Sequence, residues 1–119
     1  MTKRRIDPSR GIQALRDWAA NPAAASRSTT ATAVRYTLEE LAVVAPGRSV
    51  EVRVPPYGVV QAVAGTTHRR GTPPSVVETD VETWLQLATG QQRWDSARDS
   101  GALNASGERC DLSDFLPLL

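Results

Sequence analysis

The segment Ser49–Gly65, SVEVRVPPYGVVQAVAG, restricts the architecture more than any other part of the chain. Val50, Val52 and Val54 alternate with Glu51 and Arg53, a period of two that marks a strand with one apolar and one polar face. Pro55 and Pro56 end that strand, because proline has no N–H to give to a ladder. GVVQAVAG, residues 58–65, predicts a second strand. Val59, Gln61 and Val63 fall on one of its faces, and Val60, Ala62 and Ala64 on the other. The short Pro-Pro-Tyr-Gly connection predicts that the two strands pair antiparallel.

Helical patterns flank this pair. Upstream, Asp7 is placed to cap a helix that has Pro8 in its first turn and ends at Asn21–Pro22. Its stripe is Ile12, Leu15, Trp18 and Ala19. Ala23–Val34 is rich in small residues without a clear period and reads as a loop. Thr37 and Glu40 then form a capping-box pattern for a short helix with Leu38, Leu41 and Ala42 inward and Pro46–Gly47 at its end.

Downstream, Gly71 and Pro73–Pro74 predict a turn into a third strand, SVVETD. Thr79 and Glu82 repeat the capping-box spacing before a helix whose stripe is Val81, Trp84, Leu85 and Ala88. Gly90 suits the position after its last turn. A second short helix carries Trp94 and Ala97 and closes at Gly101. ALNASGERCD reads as a short strand or hairpin arm with a bulge at Gly107, and DLSDFLPLL as an apolar tail. Runs of strands beside runs of helices predict an α+β domain with a mainly antiparallel sheet.

The 119 residues suit a single domain spanning 1–119, with residues 1–6 expected to form a flexible tail. That tail holds the tight basic run Thr2–Arg5, read as solvated. A net charge of +1 with scattered arginines gives no footprint for nucleic acid. One cysteine, Cys110, excludes a disulfide within the chain and suits a reducing cytoplasm. No apolar stretch reaches the roughly 20 residues that cross a bilayer, so no stable membrane insertion is expected.

Tests for chemistry return little. His68 and Cys110 are the one pair that offers a base and a nucleophile, and no motif surrounds either. One histidine and one cysteine are too few for a zinc site. The acidic pairs Glu39–Glu40 and Asp80–Glu82 sit at helix starts, where capping explains them. No phosphate loop or dinucleotide fingerprint is present. His68, Arg69 and Arg70 remain, either as an anion site or as a solvated loop tip. The three tryptophans lie on apolar helical faces and read as core. No catalytic residue, metal or cofactor is expected.

The whole pattern resembles a known family. Asp80–Leu119 is similar to the C-terminal half of the sterol carrier protein type 2 fold, on Leu87-Ala88-Thr89-Gly90, Ala97, and Gly101 to Gly107 with Leu103 between them. Residues 47–80 resemble a stand-alone actinobacterial branch of that family. The resemblance implies a mainly antiparallel five-stranded sheet covered by short helices, enclosing an apolar cavity for a fatty-acyl or sterol-like ligand. It also implies a non-catalytic role.

The cavity then falls beside Val59, Val63, Val77, Trp84 and Leu85, with Phe115 and the tail as a lid. His68 and Arg70 stand ready for a charged head group. The alternative is a ligand-free interaction or accessory domain, similar to those attached to thiol-dependent isomerases. Such a domain would contact a protein partner or a second copy through Pro55–Tyr57 and the His68 loop.

Overall fold

A computed structural model describes residues 5–65, 75–107 and 111–119. Helix α1, Pro8–Ala20, has Asp7 at its N-cap position and Pro8 in its first turn. The Asp7 carboxylate accepts a hydrogen bond from the Ser9 hydroxyl and caps no backbone N–H. The helix buries Gly11, Ala14, Leu15 and Trp18, while Ile12 is half-buried and Ala19 exposed. The buried stripe is thus rotated from the expected one. Gly11 explains the rotation: a Cβ there would lie 2.2 Å from Cγ of Tyr36, so the bare backbone seats the tyrosine ring.

Helix α2, Arg27–Val44, is 18 residues long and overturns the expected loop at Ala23–Val34. Ser26 caps it, its hydroxyl oxygen accepting the Thr29 N–H at 3.0 Å. The small residues do have a helical face, since Ala31 and Val34 continue the row of Leu38, Leu41 and Ala42. The expected cap at Thr37 therefore falls mid-helix. Its hydroxyl faces the carbonyls of Ala33 and Val34 at 2.8 and 2.9 Å, a common use of threonine inside helices.

Strands β1 (Val50–Val54), β2 (Gly58–Ala62), β3 (Ser75–Thr79) and β4 (Leu103–Ser106) form one sheet in the order β2-β1-β3-β4. The β1–β2 pair is antiparallel, with Val52 opposite Val60 and Val54 opposite Gly58. Two expectations are corrected. The described sheet has four strands where five were expected, and it is mixed because β1 and β3 run parallel. Parallel neighbours need a long connection, and β3 lies on the far side of β1 from β2. β4 then pairs antiparallel with β3.

The alternation of β1 is reproduced: Val50, Val52 and Val54 are buried and Arg53 is exposed. In register with them, Ala62 and Val77 also join the core. The opposite face is mostly polar, with Arg53, Gln61, Glu78 and Asn104 exposed and Glu51 half-buried, and it also carries exposed Val59 and half-buried Val76. Glu51 and Arg53 pair at 2.6 Å across it. The four helices share the core with the inner face, giving two layers.

Helix α3, Val81–Thr89, starts one residue later than the expected box. Asp80 caps it, accepting the Thr83 N–H at 2.7 Å. Thr79 belongs to β3 opposite Leu103, and its buried hydroxyl donates to the Ala102 carbonyl at 3.2 Å. Gly90 takes the left-handed conformation (φ 80°) that ends the helix, as expected. Helix α4, Trp94–Asp99, buries Trp94 and Ala97. The tail forms a short 3-10 turn, Ser113–Phe115, and runs back along α3. There the N–H groups of Leu118 and Leu119 reach the Ala88 carbonyl at 2.9 and 3.3 Å, satisfying an acceptor in the last turn of α3.

Candidate functional site

Of the eight residues expected around a ligand, the six that fall among the described residues do not share one site. Val77, Trp84 and Leu85 do come together, but as filled core, each no more than 1% exposed. They pack with Val34, Leu41, Val52 and Leu87 between helices and sheet. The Trp84 indole N–H donates to the Thr37 hydroxyl at 2.8 Å, tying α3 to α2 inside this core. A buried indole needs such an acceptor, and Thr37 supplies it while its own proton goes to the α2 backbone. Phe115 is half-buried and leans on the same core. The tail is fastened to α3 at Ala88, which makes it a strap.

Val59 lies elsewhere, 58% exposed on the edge strand β2. Val63 leaves the alternation of β2: its backbone turns to φ 69°, so it does not continue the row of Val59. Its N–H donates to the Ala45 carbonyl at 2.6 Å, and its carbonyl accepts the N–H and hydroxyl of Ser49 at 3.0 and 2.7 Å. This brace anchors the end of β2 to the α2–β1 connection. His68 and Arg70 fall outside the described residues, and so does Cys110.

The open site is instead a groove of about 680 Å³ between β2, α2 and the segment leading into α1. Three other grooves are smaller, at about 280, 290 and 330 Å³. Clefts of about 300–1,000 Å³ are the usual size for small-molecule sites. Half-buried Ile6, Tyr57 and Val60 and exposed Val59 give the groove its apolar surface, interspersed with polar surface from Arg5, Arg10, Thr32, Arg35 and Glu39. Gly58 lets β2 settle on α2, since a Cβ there would come within 3.0 Å of the Leu38 Cδ1.

Polar contacts hold the walls in place. The Arg35 Nε–H donates to the Tyr57 carbonyl at 3.0 Å, joining α2 to the β1–β2 turn. The Glu39 carboxylate accepts the backbone N–H groups of Arg5 at 3.1 and 3.2 Å and of Ile6 at 3.2 Å. This part of the expected tail is therefore fastened to α2. Arg5, Arg10 and Arg35 all line the groove, against Glu39 as its one carboxylate.

No local pattern in the sequence announces this groove. Glu39 and Arg5 are 34 positions apart, and Arg35 and Tyr57 are 22. The nearest signals are the basic run ending at Arg5 and the glycine after Tyr57. Among the described residues, no group of three or more His, Cys, Asp or Glu side chains is gathered as a metal site requires. No helix among them is long and apolar enough to cross a membrane.

A family model described as bacterial SCP ortholog, SCP being sterol carrier protein, matches residues 26–118. The chain belongs to that family. The match agrees with the resemblance carried by the Leu-Ala-Thr-Gly end of α3 and the Gly101–Gly107 segment. Within the chain, α2 through Leu118 lies inside the matched region, while α1 and the Arg5–Ile6 segment precede it. The groove is thus built from both parts: Leu38, Tyr57 and Val60 from the matched region, and Ile6 and Arg10 from the segment before it. No curated protein matches the chain.

Proposed function

We propose that this chain is a small non-catalytic carrier domain that binds one acyl-type apolar ligand in the groove between β2 and α2. Membership of the family supports a lipid-carrier role. One structural observation favours the groove as the site. The volume between helices and sheet is occupied by Trp84, Leu85, Leu41 and Val77, whereas the β2–α2 groove is open and lined by both apolar and charged side chains. The reading differs from an internal cavity under the tail, because the tail is bonded to α3. It assigns no catalytic residue.

Native mass spectrometry of the purified chain, with thermal shift against dodecanoate, tests the reading. A co-purifying acyl chain, or a rise in melting temperature with dodecanoate, supports it. The absence of both a co-purifying lipid and a shift contradicts it.

The closed core also favours a second reading, a ligand-free interaction or accessory domain. Exposed Val59 on an edge strand would then face a protein partner or a second copy. A monomer at all concentrations that retains no partner on an affinity column counts against it.

A further inference from the structure

Among the described residues, β2 has a neighbouring strand on one side only. Its sequence, GVVQA over Gly58–Ala62, carries no charge and no proline. Those are the residues that ordinarily keep an edge strand from pairing with another chain. Bonds to other parts of the fold sit at its two ends, on the Tyr57 carbonyl and at Val63. Among the described residues, nothing outside the sheet bonds to the backbone of Gly58–Ala62.

The apolar row of the inner face is also unfinished at this edge. Val77, Val52 and Val60 lie in register across β3, β1 and β2. Val77 and Val52 are fully buried, whereas Val60 is half-buried. On the outer face, exposed Val59 and Gln61 lie beside Arg53 and Glu51.

The strand is complementary to itself. Two copies laid antiparallel about Val60 set Val60 against Val60, Val59 against Gln61 and Gly58 against Ala62, so every residue of β2 meets another. A register displaced by one residue would set inner side chains against outer ones, and a displacement of two would leave part of the strand unpaired. In the centred register the valine row runs through the junction, Val77, Val52 and Val60 meeting Val60, Val52 and Val77 of the second copy. On the outer face the row reads Arg53 and Val59, then Gln61 and Glu51 of the second copy. Opposite charges thus flank the junction, and no charge stands directly across from its like.

We infer that β2 is a dimerisation edge. A second copy of this chain adds its own β2, antiparallel and centred on Val60, and a two-fold axis joins the two four-stranded sheets into one. Backbone hydrogen bonds supply the pairing, and the continued valine row sets its register. Five strand residues a side fall well short of the roughly 20–30 of a stable interface, so the dimer exchanges with monomer in the micromolar range. The inference rests on the interaction-domain reading above, for which it names the partner, and it leaves the carrier reading untouched.

Sedimentation equilibrium of the full chain from about 1 μM to about 1 mM, a range that brackets such an affinity, tests it. The average mass should rise from that of one chain toward that of two. Val60→Lys and Val60→Glu each place like charges directly opposite one another and should weaken the dimer at least about tenfold. An equal mixture of the two variants sets opposite charges across the axis and should restore it. Val44→Lys, at another exposed apolar position, should leave it unchanged. Hydrogen exchange of the unaltered chain needs no variant: amides of β2 should slow about tenfold between dilute and concentrated samples, while those of β4 stay as they were.

A monomer throughout the concentration range, with β2 exchange unaltered, would overturn the inference; the interaction reading survives that result if an affinity column of the chain retains a different protein. A dimer that Val60→Lys and Val60→Glu leave intact, or that Val44→Lys dissociates equally well, would overturn it by placing the contact elsewhere. Folded Val60 variants that stay monomeric when mixed would overturn the Val60-centred register.

Discussion

The α2–α3 contact and the β2–α2 contact use the same long helix and reach opposite results. On one side of α2, Thr37, Val34 and Leu41 meet Trp84 and Leu85, and every one of these side chains is fully buried. On the other, Arg35 and Glu39 meet an edge strand and a fastened segment, and an open groove remains. The difference lies in which side chains are offered. A large indole with a hydrogen-bond acceptor fills its space. Gly58 and two half-buried residues, Ile6 and Val60, do not. A fold can thus be closed where its family resemblance suggests a cavity and open at its margin.

Four substitutions probe this contrast, in order of effect. Trp84→Ala should be the most damaging, at about 3–5 kcal/mol, because a large void opens and Thr37 loses its donor. Denaturant unfolding measures it, and a loss below about 1 kcal/mol would mean that the contact is not closed. Gly11→Ala comes next. The added methyl would meet the Tyr36 ring at 2.2 Å and should cost about 1–3 kcal/mol by forcing α1 away from α2. An unchanged unfolding midpoint would show that α1 docks differently.

Glu39→Ala should cost less, about 0.5–1.5 kcal/mol, since it removes acceptors at a half-exposed site. Its clearer effect is local. Hydrogen exchange at the Arg5 and Ile6 amides should quicken while that of α3 stays as it was. Uniform quickening would contradict a fastening confined to the groove.

Asp111→Asn should have the smallest effect and belongs to the closed side, where the tail is strapped. The Ser113 backbone N–H, at 2.8 Å, and then the Ser113 hydroxyl hold the Asp111 carboxyl below the usual carboxylate range. Partial burial opposes the shift, and the Arg98 charge assists it. A carboxyl depressed in the folded state adds stability above its unfolded value of about 3.9, and that stability is lost as pH falls through the lower folded value. The variant should therefore be slightly less stable than the parent at neutral pH, and the gap should close in acid. Melting curves at several pH values decide it; a gap that widens in acid would reverse the sign.

Much of the fold was legible because two periods are written plainly. The β1 alternation and the Trp84–Leu85–Ala88 stripe of α3 reproduce directly. The proline-rich connection predicted the β1–β2 hairpin for the right reason. Errors arose where one residue type has two uses. Thr37 and Thr79 both resemble caps, yet each hydroxyl is spent on a carbonyl, one inside α2 and one beside β3. Small residues hid the first two turns of α2, because alanine and threonine give a weak contrast between faces. The parallel β1–β3 pair was hidden as well, since side-chain alternation does not encode strand direction.

The groove was the least legible part. It depends on contacts between the start of the chain, the middle of α2 and the β1–β2 turn, and no spacing rule links them. The expected site residues Val77, Trp84 and Leu85 are apolar and buried. Inward-facing residues line a cavity only where packing leaves one, and side-chain pattern carries no measure of leftover volume.

The central claim is that a ligand sits against β2 and leaves the helix–sheet core closed. Titration of the ¹⁵N-labelled chain with dodecanoate, followed by amide and indole resonances, tests it most directly. The account predicts shifts at the amides of Gly58, Val59, Val60 and Leu38, and a Trp84 indole N–H that does not move. Shifts of the Trp84 indole and Leu85 amide, with Gly58–Val60 unmoved, would place the ligand in the core and contradict it.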